Sequence, residues 1–300
     1  MSSTERSPAV VPGTLQVAIA LALVYVVWGS TYLAIRLALQ GGWPPLLMAG
    51  IRFLLAGALM YAFLRLRGMA APTRRQWGYS AVMGVMLLGL GNGLVCIAEQ
   101  TVPSGLAAVA IASVPLWIGL FSALRGERPT RIEGAGLVLG FAGVVWLNAG
   151  SAALTASVSA MVALIVGAVA WSWGSVWSRG KALAPPFMNA AMQMLCGGTA
   201  LLAAAWLRGE RLAAWPAASG LAALAYLVVF GSIVAFSAYV WLLPRVRPAL
   251  AGSYAYVNPV IAVGLGVALA GERVDARELG AMAVILAGVV AINLARLARR

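Results

Sequence analysis

The strongest constraint on this chain is a succession of ten apolar runs, each long enough to cross a bilayer as a helix. They cover roughly 15–38, 46–66, 78–100, 105–124, 132–149, 157–178, 187–207, 218–243, 249–270 and 278–296, with short breaks of Gly, Pro and charge between them. Membrane strands would be shorter and would alternate polar with apolar residues. A soluble fold is excluded by the same pattern: with 62% hydrophobic and 10% charged residues, too few charges remain to coat a water-facing surface. The first run is too long for a signal-peptide core and is expected to stay as a helix. The expected fold class is an all-α membrane protein of ten transmembrane helices.

The net charge of +13 would suggest nucleic acid in a soluble protein. Its distribution says otherwise. Ten spans put both termini on one side. With those termini cytoplasmic, Arg6, Arg65, Arg67, Arg74, Arg75, Arg125, Arg128, Arg131, Arg179, Lys181, Arg245, Arg247, Arg296, Arg299 and Arg300 all lie inside. Only Arg208, Arg211, Arg273 and Arg277 fall in outer loops, while Arg36 and Arg52 lie within spans. Positive charge retained on the cytoplasmic side sets this orientation, so the excess marks topology and no nucleic-acid partner is expected.

An internal repeat sharpens the architecture. At an offset of 145 residues, Trp28-Gly29-Ser30 falls on Trp173-Gly174-Ser175, Arg36 on Lys181, Pro103 on Pro248, and Gly126-Glu127-Arg128 on Gly271-Glu272-Arg273. Thirteen of the thirty residues of 119–148 are identical at that offset, ending with Asn148 on Asn293. Chance would match about one position in ten. The expected organisation is a tail at 1–14, one five-helix repeat at 15–149, a second at 157–296, and a basic tail at 297–300. An odd number of spans inverts the second copy. Inverted repeats are the architecture of secondary transporters, which bind substrate near the midplane between the copies and work by alternating access.

These residues resemble the EamA family of the drug/metabolite transporter superfamily. The resemblance rests on Trp28-Gly29-Ser30 with Arg36, Pro45 followed by Arg52-Phe53, Pro115 with Gly126-Glu127, and Pro259 with Gly271-Glu272. It covers essentially the whole chain. It implies ten helices and export of small metabolites across a bacterial inner membrane, with amino-acid exporters the most similar subgroup. Other small organic solutes or drugs are the alternative cargo.

Polar and amphipathic side chains inside lipid gather on a bundle interior or a wet cavity, and residues i and i+4 share a helical face. Candidate substrate-binding residues are accordingly Trp28 and Tyr32 in span 1, Asn92 in span 3, Ser113 and Trp117 in span 4, and Trp173 and Trp177 in span 6. Ser237, Tyr239 and Trp241 in span 8, and Tyr254 and Asn258 in span 9, complete the set. Indoles, phenols and amides suit a small zwitterion or apolar organic molecule. Pro115 and Pro259 lie mid-span and are expected to bend their helices. Trp43, Trp77, Trp206 and Trp215 stand at span ends as interfacial anchors. Thr130 with Glu133, and Asp275 with Glu278, read as capping boxes.

Glu99 is the only acid inside a span, and Arg36 and Arg52 fall in the same outer half, so a charge network with Glu99 neutralising one arginine is expected. The chain has no histidine, and Cys96 and Cys196 sit in apolar runs, which offers neither a metal site nor a disulfide framework. No nucleotide-binding loop, catalytic dyad or cofactor motif is present in the sequence. An enzyme and a channel are therefore the weaker classes. The expected partners are a small-molecule substrate and the lipid bilayer, with no obligatory protein partner.

Overall fold

The computed structural model describes residues 13–102, 107, 110–148, 158–270 and 275–297. Pro103, the Gly271-Glu272-Arg273 motif and most of both tails lie outside the described residues, as do the side chains of Asn293 and Arg296. Among the described residues the chain is helical, without a strand. The helices are α1 (Thr14–Gln40), α2 (Pro45–Leu66), α3 (Arg74–Ala98), α4 (Val114–Leu124), α5 (Arg131–Asn148) and α6 (Val158–Trp177). They continue with α7 (Pro186–Leu207), α8 (Ala218–Leu242), α9 (Pro248–Gly252), α10 (Tyr254–Ala270) and α11 (Ala276–Leu297). Six of them, α1, α2, α3, α6, α7 and α8, are long and apolar enough to cross a membrane by length and composition.

Two departures from a simple row of spans matter for the site. The run expected at 105–124 is interrupted by a turn at Ala112–Ser113, and α4 restarts beyond it. Pro115 is therefore not a mid-helix bend but the second residue of α4, where its missing N–H is an orphan anyway and its fixed φ suits the first turn. The run expected at 249–270 is split at Ser253, between α9 and α10. The Ser253 hydroxyl bonds the Leu250 carbonyl at 2.8 Å and the Tyr25 hydroxyl at 2.6 Å, tying the break to α1. Pro259 does lie inside α10.

Both α3 and α8 contain a π-helical segment, Gly84–Asn92 and Leu227–Val234. These are repeat-related, since an offset of 145 carries the first onto 229–237. Wide π turns are uncommon and concentrate at functional sites.

The packing is reciprocal between the chain's halves. Helix α1 packs on α8 and α10, while α6, its counterpart, packs on α3 and α4. Helix α2 runs along α7, and α5 along α11. Small residues let these backbones touch. A Cβ at Gly288 would sit 2.6 Å from the Gly140 nitrogen, and one at Gly198 would sit 2.8 Å from the Leu54 nitrogen. Large apolar side chains such as Leu15, Leu59, Leu124, Val138 and Leu279 remain exposed around the bundle, as a lipid-facing surface requires.

Several helix starts are closed by side chains. Thr130 and Glu133 form a capping box, and so do Asp275 and Glu278. Thr73 with Gln76 adds a third. Glu133 also holds the Arg247 guanidinium, joining the start of α5 to the start of α9. Glu210 accepts from the Leu46 and Leu47 nitrogens at 2.9 Å each, placing a negative charge on the N-terminus of α2.

Candidate substrate cavity

A cavity of about 70 Å³ lies where α1, α2, α3, the start of α4, α6, α8 and α10 meet. The packing around it starts from Trp28. The Trp28 ring lies edge-on to Trp171 at 5.4 Å and to Tyr254 at 4.7 Å, and tilted against Tyr239 at 5.1 Å. Its indole N–H donates to the Gly231 carbonyl at 3.1 Å, in the π segment of α8. Tyr239 receives the Trp171 indole N–H at 3.0 Å and shares a hydrogen bond with Ser175 at 2.8 Å. The four rings thus cross-brace α1, α6, α8 and α10, and the polar atoms of Trp28, Trp171 and Tyr239 are hydrogen-bonded, as buried indoles and phenols need.

Around the cavity stand Trp28, Tyr32, Arg52, Asn92, Tyr254 and Asn258, six of the residues singled out in the sequence. Tyr239 belongs to the ring cluster beneath it without lining it. The others stand elsewhere. Ser113 caps the break before α4, donating to the Ala110 carbonyl and accepting from Trp117, whose ring stacks towards Phe121. Trp173 is 39% exposed and stacks on Trp177 at 5.8 Å, on the outside of α6. Ser237 contacts the Met60 sulfur, and Trp241 lies under the Arg245 guanidinium. Trp171, Thr31, Phe53 and Phe236 line the cavity and were not foreseen. The available signal for Trp171 was its i, i+4 relation to Gly167 and Ser175, both buried.

Arg52 is 2% exposed, and its Nε donates to Ser232 Oγ at 2.8 Å. Its Cζ lies 4.6 Å from the Phe53 ring centroid. Its Nη1 is buried without a hydrogen-bond partner, as is Asn258 Oδ1. The expected contact network with Glu99 does not form. Both Glu99 oxygens are buried without a hydrogen bond, Arg36 is exposed, and no ion pair joins Glu99 to either arginine among the described residues. The three charges interact only at longer range.

Two larger recesses flank the centre. One, of about 550 Å³, is lined by Tyr32, Arg36, Glu99 and Gln100. The other, of about 650 Å³, is lined by Met83, Glu127, Arg179, Lys181 and Arg245. Helix α3 orders them, with Met83 in one recess, Leu88 to Val95 at the cavity and Glu99 in the other. Tyr32 lines both the cavity and the Glu99 recess. At the opposite end Arg179 bonds the Leu243 and Val246 carbonyls at 2.7 and 3.2 Å and faces Glu127 at 3.5 Å. Burial lowers the Arg179 pKa, and the Glu127 charge opposes that shift. Since a water needs roughly 10–15 Å³ of probe space, the centre has room for only a few waters in this conformation, and the larger spaces lie at the two ends.

At the ends of the helices, Trp206 and Trp215 are exposed as interfacial anchors would be, whereas Trp43 is buried. Trp77 packs against Tyr61 at 5.8 Å.

Comparison with known proteins shows the family and its duplication. The model of the EamA-like transporter family matches twice, at residues 15–149 and 158–294. The chain is 45% identical over 278 residues to YedA, an inner membrane transporter of Escherichia coli K12, covering 92% of this chain and 90% of that protein. It is 25% identical to the "Probable amino-acid metabolite efflux pump" of Salmonella typhimurium, covering 89% and 91%. It is 28% identical to the "Probable terminal-alkyne amino-acid exporter" of Streptantibioticus cattleyicolor, covering 94% of each. A crystal structure at 27% identity superposes with a TM-score of 0.76, covering 96% of this chain and 98% of the other. With both halves matched and the cavity walled by residues from each, the chain belongs to the EamA-like transporter family.

Proposed function

We propose that this inner-membrane transporter exports amino acids and similar small metabolites by alternating access, with ten transmembrane helices arranged as two inverted five-helix repeats and both termini cytoplasmic. The observation that carries this reading is the position of the central cavity. Its walls come from α1, α2, α3 and the start of α4 on one side and α6, α8 and α10 on the other, so from both family matches. A site shared by two inverted halves can be exposed first to one side and then to the other as the halves rock. The reciprocal packing of α1 and α6 and the paired π segments support the duplication.

In this reading the Glu99 recess faces outward and the Arg179 recess faces the cytoplasm. Tyr32 is the outer gate. The inner gate is the ring cluster around Trp171 and Tyr239, backed by the Arg179 bonds to the end of α8. The aromatic walls supply contact area for an apolar side chain and attraction for an ammonium group. The names of the Salmonella and Streptantibioticus relatives support amino-acid cargo.

Counterflow in proteoliposomes tests the reading. Vesicles loaded with unlabelled leucine or phenylalanine should accumulate the labelled amino acid transiently and saturably. If amino acids fail while cationic drugs or other organic solutes exchange, the cargo is wrong and the mechanism stands. Flux linear in concentration without trans-stimulation would indicate a channel.

A further inference from the structure

We propose that Arg52 is the carboxylate-binding group of the central cavity, with Asn258 receiving the ammonium of a zwitterion, so that cargo must carry a carboxylate. This rests on the transport reading above and names the chemistry its substrates share.

Arg52 is built into place from several sides. Ser232 fixes Nε at 2.8 Å, and the Phe53 ring supports the guanidinium plane at 4.6 Å. Nη2 faces the π segment of α8 at Gly231, where an added Cβ would stand only 2.7 Å from it. The absence of a side chain there makes room for the guanidinium. Nη1 is left buried with no partner in the wall of an aromatic cavity.

A guanidinium keeps its charge and offers five N–H donors in a planar fork. Here only Nε has a hydrogen-bond acceptor among the described residues. A buried cation with neither an anion nor full hydrogen bonding is costly. Glu99 lies within electrostatic range but makes no ion pair with it. A carboxylate entering the cavity would supply the missing acceptors and the opposite charge together, the pairing for which a guanidinium fork is best suited. Asn258 Oδ1, also buried and unpartnered, is a free acceptor on the same wall. One donor fork and one acceptor fit the two poles of an α-amino acid, with Trp28, Phe236 and Tyr254 left for its side chain. Had Arg52 been only a packing residue, nothing about this wall would call for a cation.

Three ligands of one shape separate the poles: phenylalanine, 3-phenylpropionate, which lacks the amine, and phenethylamine, which lacks the carboxylate. Thermal shift on the full-length protein in detergent reads binding directly. Phenylalanine and 3-phenylpropionate should stabilise the protein, while phenethylamine should bind at least tenfold more weakly. Arg52→Gln should abolish both shifts, and Arg52→Lys should keep a reduced one. Should Arg52→Gln fail to fold, the wild-type ligand series still decides. Equal stabilisation by phenethylamine would overturn the carboxylate anchor, and so would the absence of any carboxylate-dependent shift. Phenylalanine counterflow measured alongside distinguishes the cases: exchange without carboxylate dependence sinks Arg52 alone, whereas loss of all amino-acid exchange sinks the transport reading.

Discussion

The indole N–H of Trp28 donates to the carbonyl of Gly231 across 3.1 Å, linking the first helix of one half to a π-helical turn of the other. The bond orients a ring that touches Trp171, Tyr239 and Tyr254 at once. Trp28→Phe keeps much of the ring contact and loses the bond, so it should lower unfolding stability by about 1 kcal/mol. Trp28→Ala empties the centre of the cluster and should cost about 3–5 kcal/mol. Thermal unfolding in one detergent checks the order. Equal losses from the two variants would show that the ring contacts contribute little.

Gly231 makes room for Arg52. Gly231→Ala would place a Cβ 2.7 Å from Arg52 Nη2 and 3.1 Å from Thr31 Cγ2, so it should displace the guanidinium and reduce exchange at least tenfold. Gly264→Ala, where an added Cβ meets nothing within 4 Å, should leave exchange unchanged and stabilise α10 by about 0.5–1 kcal/mol. Matched exchange assays and melting curves of the two variants read this difference. Unimpaired exchange by Gly231→Ala would show that the position of Arg52 is not critical.

Tyr32 lines both the cavity and the Glu99 recess. Tyr32→Ala should therefore expose the interior from that end. The native Cys96 thiol is a ready probe, being fully buried one turn from Asn92 and donating to its side-chain Oδ1 at 3.6 Å. In a Cys196→Ser background, Tyr32→Ala should speed modification of Cys96 by a small impermeant thiol reagent about tenfold. No acceleration would place the outer barrier elsewhere.

Much of this arrangement was legible in the sequence, and the physical limits are specific. Apolar runs located the helices because lipid demands continuous helical hydrogen bonding. Polar groups that are rare in lipid pointed to Asn92 and Asn258 at the cavity wall, whereas Arg52, expected in a charge network with Glu99, lines the cavity as well. The repeat offset misled at α6. It pairs Trp28 with Trp173, but two residues along an α-helix turn about 200°, and Trp171 faces the cavity instead. In α8 the π segment shifts the phase of everything after Val234, so an i, i+4 face drawn through Ser237 and Trp241 missed Gly231 and Phe236. The unpaired state of Glu99 was out of reach as well, because shared depth in the membrane does not set side-chain distance.

The α5–α11 contact is backbone against backbone at Gly288 and Gly140. Gly288→Val should pry these helices apart and sharply reduce the monodisperse fraction on size-exclusion chromatography. Because the contact lies away from the cavity, ligand dissociation constants should change less than twofold in the protein that does fold. A large change in affinity would couple this helix pair to the site.

Phenylalanine counterflow by the wild type, Trp171→Ala and Trp173→Ala side by side tests whether transport runs through the Trp28–Trp171 cavity. The two tryptophans are two residues apart on one helix, so membrane insertion is closely matched, yet Trp171 lines the cavity while Trp173 stands on the outside of α6. The wild type should show saturable, trans-stimulated exchange, Trp171→Ala a half-saturation concentration raised at least tenfold, and Trp173→Ala the wild-type value. Equal effects of the two substitutions, or a larger effect of Trp173→Ala, would contradict the site and the pathway drawn through it.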